Sequence, residues 1–568
     1  MNMKGTIVML LLIPVILQAA GDIPVLQSLD VYENNILDSG GPLLSDQAAY
    51  NVYFYDLDLF VDPHDSTIHG SVIVHAHVRE EMKRFVVHLD TIFRTERVLW
   101  LQSESHHELL DYSHDKGLII AELSEKAHPG DRLMIEITYN GQPRTAPNPP
   151  WEGGFTWAQT DIGEPWVGVS CQVNGADIWW PVKDHPSDRP DSVSLKITVP
   201  DGLTAVSNGV LRSEKSYSDG TRTFHWVTNS PISNYAVTMN IGPYSELVRS
   251  YESVSGDIFP IHFWSLPENY HKAVELMDQI EEHMGFFEEL LGPYPFLREK
   301  YGVVEAPFLG MEHQTLIAYG AGYKNDVVFE TDSGFDDLHH HELAHEWWGN
   351  HVVAYDWKDF WIHEGFGTYM QPLFAEKLHG PEQYRYFMKK LYSRIENNIP
   401  IAPTGVKSTR EMFEGRDIYM KGSWVLHTLR KMIGDELFFD TLRYMIRPDQ
   451  NQNKNTPLEP GRFVDTQDYI DIVESLTGEN MDWFFDAYLR HADLPELRKR
   501  WEGDLIYLSW KVPSGNPFPM PVEIYDGKER KLIIPQPNEA ISVHDRSNFV
   551  VDPDNRVLRA GMYRYAKR

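Results

Sequence analysis

The chain has 568 residues, 42% apolar, 12% aromatic and 24% charged, a globular composition with material for several cores and about three or four domains. Lys plus Arg total 51 against 83 Asp plus Glu, a net charge of -32. A surface this acidic repels phosphate backbones and excludes general nucleic-acid binding. The single cysteine, Cys171, excludes an intrachain disulfide and a thiolate zinc site.

Lys4, the apolar run from Ile7 to Leu17 and Ala19-Ala20-Gly21 read as a cleaved secretory signal over residues 1–21. The apolar run is shorter than the about 20 residues that cross a bilayer core. No later segment reaches membrane-spanning length, and no Asn-x-Ser/Thr site with x other than Pro occurs. The expectation is an exported protein, periplasmic or secreted, with a bacterial origin favoured.

Residues 22–250 read as an antiparallel β domain. Tyr53, Tyr55, Leu57, Leu59 and Val61 alternate with Phe54, Asp56, Asp58 and Phe60, and the turn Asp62-Pro63-His64-Asp65 follows. Val72 to Val78, Leu133 to Tyr139 and Val193 to Val199 repeat the two-residue period, the last two before Asn140-Gly141 and Pro200-Asp201-Gly202. Residues 251–492 read as mainly helical. Val274, Met277, Ile280, Met284, Phe287 and Leu291 form one stripe stopped by Gly292-Pro293, and Ile418 to Ile433 and Met481 to Arg490 are further helices. Residues 493–568 return to strands at Leu505–Val512, Val522–Tyr525, Lys531–Ile534 and Phe549–Val551, enough for a small β-sandwich.

The chemistry is concentrated in SGFDDLHHHELAHEWWGN, residues 333–350. Ser333 with Asp336 suggests a capping box, and Gly349-Asn350 a stop. His341 and His345 lie four residues apart, so a helix presents both imidazoles on one face, with Glu342 beside them. This is H-E-x-x-H, the pattern of a zinc site with a glutamate base. Glu364, nineteen residues after His345 in FWIHEGFGTYM, returns to the histidines if a second helix runs back antiparallel. Two His and one Glu leave one open coordination position, the catalytic rather than the structural arrangement. His339 and His340 sit at other helix angles, on the surface or behind the ligands. His363 is a weaker candidate for substrate contact.

These residues resemble the aminopeptidase N-type zinc metallopeptidases, a gluzincin family that includes leukotriene hydrolase. Leu309-Gly310-Met311-Glu312-His313 sits where that family has G-x-M-E-N, with Leu309 for its Gly and His313 for its Asn. Tyr419-Met420-Lys421-Gly422 resembles its Tyr-x-Lys-Gly segment. Ser170-Cys171-Gln172, before Pro181, resembles the stretch carrying a substrate-contacting glutamine. Tyr55-Asp56-Leu57-Asp58-Leu59 and Val551-Asp552-Pro553-Asp554 look like the opening strand and the end of the β-sandwich. The resemblance covers nearly the whole mature chain. It implies a multidomain α+β protein: an N-terminal antiparallel β saddle, a thermolysin-like, mainly helical catalytic domain and a small C-terminal β-sandwich. The family's large helical C-terminal domain has no counterpart in this sequence, so an open cleft is expected.

The resemblance implies one zinc per chain, held by His341, His345 and Glu364, with Glu342 as general base and Tyr419 donating to the oxyanion. Glu312 reads the substrate α-ammonium, with Gln172, Met311 and Gly310 lining the same subsite. The activity implied is release of N-terminal residues from peptides with a free N-terminus. A leukotriene-hydrolase-like epoxide hydrolase, a catalytically silent peptide-binding scaffold and an endopeptidase are alternatives, told apart by the substrate turned over. Intact His341, Glu342, His345, Glu364 and Tyr419 disfavour the scaffold, and Glu312 disfavours the endopeptidase. The oligomeric state, the preferred N-terminal residue and the physiological peptide are not readable.

Overall fold

The computed structural model describes residues 25–26, 38–103, 105–449, 453 and 455–563; the signal expected over residues 1–21 lies outside the described residues. The N-terminal part is built on an eight-stranded sheet. Its order is Val210–Ser216, Thr221–Thr228, Ser192–Pro200, Tyr50–Asp62, Thr67–Val78, Arg132–Gly141, Arg94–Ser103 and His106–Leu109. Tyr55, Leu57, Leu59 and Val61 are fully buried along one face, as alternation requires. Two details differ from the expectation. A register shift between Val52 and Phe54 turns Val52, not Tyr53, toward the core, because a bulge inverts the alternation beyond it. Ser192–Pro200 runs parallel to Tyr50–Asp62, so the sheet is mixed. Side-chain period reports burial and not direction, and the long chain between these two strands permits a parallel crossover.

The middle part contains the expected helices, but also a five-stranded sheet in the order Ser245–Glu252, Ile258–Ser265, Tyr301–Glu305, Ile317–Tyr319 and Gly310–Met311. Those last three strands escaped the period test because they are short and buried throughout. Without a solvated face there is no alternation to read. Four helices frame the site. Helix α1 (Tyr270–Leu291) ends at Gly292, whose φ is 102°, and α2 is Asp337–Ala344. Helices α3 (Trp361–His379) and α4 (Asp417–Ile433) pack against each other. Among the described residues no helix is long and apolar enough to cross a membrane.

The C-terminal part is two three-stranded sheets enclosing Ile506, Leu508, Val522, Ile524, Val543 and Val551, the expected sandwich. Strands Glu496–Glu502 and Ala540–Ser542 add to those read from the pattern. The tail after it folds back onto the catalytic helices. Leu558 N donates to Thr428 Oγ1 at 3.0 Å, and Tyr488 OH donates to the Leu558 carbonyl at 2.7 Å. His427 Nε2 donates to the Asn555 carbonyl at 3.1 Å, while Tyr384 OH lies 2.6 Å from its Nδ1.

Burial, with Lys431, Arg430 and Arg556 nearby, pushes the His427 imidazole down from 6.5 to about 3. The unfolded chain therefore takes up a proton below pH 6.5 that the folded chain refuses. Stability falls with pH from about 6.5 toward 3 at about 1.4 kcal/mol per unit from this group. His427→Gln removes that dependence. The stability of wild type relative to the variant should fall by about 2 kcal/mol between pH 7.5 and 5. Denaturant titrations of both proteins at the two pH values check this, and a pH-independent difference contradicts it.

Candidate active site

Helix α2 places two imidazoles on one side of the cleft. It starts one turn later than expected: the N-cap is Asp336, whose carboxylate accepts the His339 N–H at 2.9 Å. The Ser333 side chain is engaged with Thr331 instead. The helix also stops early, with His345 as its C-cap rather than Gly349-Asn350. The i, i+4 spacing survives, and the two Nε2 atoms are 3.1 Å apart. His345 Nδ1 donates to the Trp348 carbonyl at 2.8 Å, which leaves its Nε2 lone pair facing the centre. Helix α3 returns as predicted. Glu364 Oε2 lies 3.5 Å from His341 Nε2 and 3.4 Å from His345 Nε2, buried and without a hydrogen-bond donor.

These three atoms fit zinc. Ligands at about 2.0–2.2 Å in tetrahedral array are about 3.3–3.5 Å from one another, close to the three separations found. The charge balance also calls for a cation. Burial pushes His345 down, yet Glu364, Glu312 and Glu342 outweigh it and lift the ring to about 10. Burial raises Glu364, but the two imidazoles hold it well below the usual carboxylate range. His341 moves the other way, lowered mainly by burial. Three buried carboxylates, Glu312, Glu342 and Glu364, thus converge on the two imidazoles, a donor set that suits a divalent ion.

Glu342 lies on the same helix, 6% exposed, and a Cβ on Gly310 would sit 2.6 Å from its Oε1. Gly310 therefore makes room for the carboxylate. Burial, then the Glu312 charge, raises Glu342 well above the usual range. Gln172 Nε2 donates to Glu312 Oε1 and lies 3.4 Å from Glu364 Oε1; Tyr235 OH donates to Glu312 Oε1 at 3.3 Å. Tyr419 comes from α4, its ring 6.1 Å from that of His341. Burial first, then the Glu364 carboxylate, keeps its hydroxyl protonated.

Two glycines set the position of Tyr419. A Cβ on Gly422 would lie 2.9 Å from Gly365 Cα, and one on Gly365 would lie 3.0 Å from Gly422 Cα. Helices α3 and α4 touch backbone to backbone there, next to Glu364 and one turn from Tyr419. Gly422→Ala gains helix propensity of up to about 1 kcal/mol. The clash is with main chain and the helices must part, so a net loss of about 1–3 kcal/mol is expected. A lower melting temperature with a reduced kcat checks both consequences; a stabilised variant contradicts them.

Gly310, Met311, Glu312, Gln172, His341, Glu342, His345, Glu364 and Tyr419 all line one cavity of about 1130 Å³ between the N-terminal and catalytic parts. Every expected site residue is thus brought together. Other expectations are narrowed or corrected. Of the two places expected for His339 and His340, on the surface or behind the ligands, the structure shows the buried one. His339 bridges Tyr301 OH at 2.7 Å and His283 Nδ1 at 2.9 Å, and His340 packs among Phe286, Phe287, Phe335 and Phe374. His363 does not line the cavity, its Nε2 accepting the Ala354 N–H at 2.9 Å. His313 is buried with neither ring nitrogen hydrogen-bonded, and burial holds it neutral at about 3. It does not line the cavity, whereas Leu309 does. Sequence reasoning missed Tyr235, Trp151, Arg410 and Arg416, which carry no local spacing signal.

An H-E-x-x-H helix, a glutamate from the next helix and a β-rich domain across the cleft define a metallopeptidase of the gluzincin type. Comparison with known proteins agrees. The Peptidase M1 N-terminal domain matches residues 52–236, and the Peptidase family M1 domain matches residues 269–488. The chain belongs to the M1 peptidase family. Leucine aminopeptidase 2 of Pyricularia oryzae is 23% identical over 465 residues, 77% of this chain and 72% of the relative. Aminopeptidase B of Homo sapiens is 26% identical over 418 residues, 68% of this chain and 55% of the relative. Leucine aminopeptidase 2 of Neosartorya fischeri is matched over only 36% of its length. An M1 zinc metallopeptidase mutant from Deinococcus radiodurans, solved with a Tyr-Ser-Ala substrate, superposes with a TM-score of 0.65 at 23% identity. The match covers 81% of this chain and 98% of that one. At this identity the likeness speaks for the fold.

Proposed function

We propose that the protein is a zinc aminopeptidase that removes N-terminal residues from peptides. The observation that carries this reading is Glu312: a buried carboxylate, held by Gln172 and Tyr235, in the same cavity as the His341, His345 and Glu364 donor set. A carboxylate so placed pairs with a substrate α-ammonium and sets the scissile bond one residue away. The relatives named above as aminopeptidases support it.

His341, His345 and Glu364 would hold zinc, which polarises a scissile carbonyl and acidifies water. Glu342 takes the proton of the attacking water and passes it to the departing amine. Tyr419, kept protonated, donates to the oxyanion that develops on the carbonyl. Glu312 holds the ammonium, and its neighbours Gly310 and Met311 at the sheet edge form the floor of the same subsite. The signal reading at residues 1–21 further points to an exported enzyme acting on free peptides.

A pair of aminoacyl chromogenic amides, free and N-acetylated, tests the reading. The free compound should be turned over and the acetylated one should be poor, because Glu312 would then be desolvated without its cation. Glu312→Ala should raise KM and lower turnover for the free compound. Equal cleavage of both compounds would favour an endopeptidase.

A further inference from the structure

The aminopeptidase reading uses the carboxylates that line the cleft and leaves its guanidinium groups unexplained. Arg394, Arg410 and Arg416 line the same cavity as Glu312, Glu342 and Glu364, and they come from three successive segments. Arg394 follows the helix Pro381–Tyr392, Arg410 lies in the turn Thr409–Met412, and Arg416 is the N-cap of α4.

None of the three is neutralised by an ion pair among the described residues, although the chain carries a net charge of -32. The Arg394 guanidinium donates to the Val328 carbonyl at 2.9 Å and lies over the Phe329 ring at 5.2 Å. Arg416 lies over the Trp151 ring of the N-terminal domain at 5.6 Å. Arg410 is fixed through its main chain, its N–H donating to Asp38 Oδ1 at 2.9 Å. The other acidic residues of the same cavity, Glu152 and Glu414, pair with none of them. A fourth cleft arginine, Arg144, is different: it is bonded through two nitrogens to the buried Asp90.

The segments that carry Arg410 and Arg416 are also held still. Thr409 N donates to the Ser39 carbonyl at 2.9 Å, and Ser39 N donates to Thr409 Oγ1 at 3.1 Å. The Arg416 carbonyl accepts from Tyr419 N and Met420 N, each at 3.1 Å. Arg416 therefore stands about 4.5 Å along the helix axis from Tyr419. A bound peptide advances about 3.3–3.6 Å per residue, so a tri- or tetrapeptide carries its terminal carboxylate about 7–10 Å past the scissile bond. An arginine side chain one turn from Tyr419 spans that interval.

We propose that Arg394, Arg410 and Arg416 bind a carboxylate on the departing side of the substrate. The cleft is then polarised, with carboxylates for the N-terminus and guanidiniums for the far end, and it selects short zwitterionic peptides. Guanidinium groups suit the task because they offer two parallel donors to one carboxylate. The carboxylate is either the C-terminus of a tri- or tetrapeptide or an acidic side chain of a longer one. This inference rests on the aminopeptidase reading for its direction.

The test compares kcat/KM for Ala-Ala-Ala with its C-terminal amide, and for Ala-Ala-Asp-amide with Ala-Ala-Asn-amide, alongside an alanyl chromogenic amide. The expected wild-type preference for the charged member is roughly 10- to 100-fold. Preference in the first pair alone assigns the terminal carboxylate, and preference in the second assigns the side chain. In a variant with both Arg410→Gln and Arg416→Gln the ratio should collapse toward one, whatever the absolute rate. Arg498→Ala, a charge change on the C-terminal sheet, should keep it. Ratios near one in wild type, or ratios that persist in the double variant, overturn the proposal while turnover of the chromogenic amide upholds the aminopeptidase. If nothing is hydrolysed, that reading fails. Calorimetry with the same acid and amide peptides then decides: roughly tenfold tighter binding of the acid supports the proposal, and equal affinity overturns it.

Discussion

Glu342→Gln should lower kcat by roughly 10²–10⁴-fold while the protein keeps its metal. The side chain is on the zinc helix but contributes no atom to the triangle formed by His341 Nε2, His345 Nε2 and Glu364 Oε2. Its carboxylate rests in the space that Gly310 leaves open, and the amide has nearly the same shape. Only the ability to accept a proton is lost. Glu364→Ala should do the opposite and lower metal content first, because it deletes one of three donors in a site where Oε2 has no other partner. Metal analysis with single-substrate kinetics on both variants separates the roles. If Glu342→Gln empties the site and Glu364→Ala keeps full metal and activity, the assignment is reversed.

Tyr419→Phe should lower kcat by roughly 10²–10³-fold and change KM less, as for loss of one oxyanion donor. The tyrosine is only partly buried and reaches the cavity from α4, so the deleted hydroxyl leaves little packing defect. Its pKa, raised by burial and by Glu364, means that the hydroxyl is a donor throughout the neutral range. Activity should therefore show no loss from Tyr419 ionisation up to at least pH 10. Wild-type kcat in the phenylalanine variant would return Tyr419 to a purely packing role.

Most of the catalytic set was legible because it is local or follows from a simple return of the chain. His341, Glu342 and His345 need only one helical turn, and that turn holds even though α2 is shorter at both ends than the capping residues suggested. Glu364 needs one connection and one antiparallel helix. Glu312 and Tyr419 were legible by resemblance, through segments in which Gly310 and Gly422 are also retained. The structure gives those glycines a physical role: one admits the Glu342 carboxylate, and the other admits the neighbouring helix.

Other features depended on which segments meet across the fold. The position of His339 and His340, on the surface or behind the ligands, could not be decided from helix angle alone. Their burial is decided by α1 and, for His339, by the strand at Tyr301, both outside their own helix. Parallel pairing of Ser192–Pro200 with Tyr50–Asp62 could not be read from alternation, since both directions bury the same face. The sequence by itself determined the charge, the strand and helix periods, and the metal donors at fixed spacing, because each depends on residues within a few turns of one another. Only the tertiary structure decided that Tyr235 supports Glu312 and that three unpaired arginines share the cleft with the acidic centre. Those relations join segments up to about a hundred residues apart, and no local spacing encodes them.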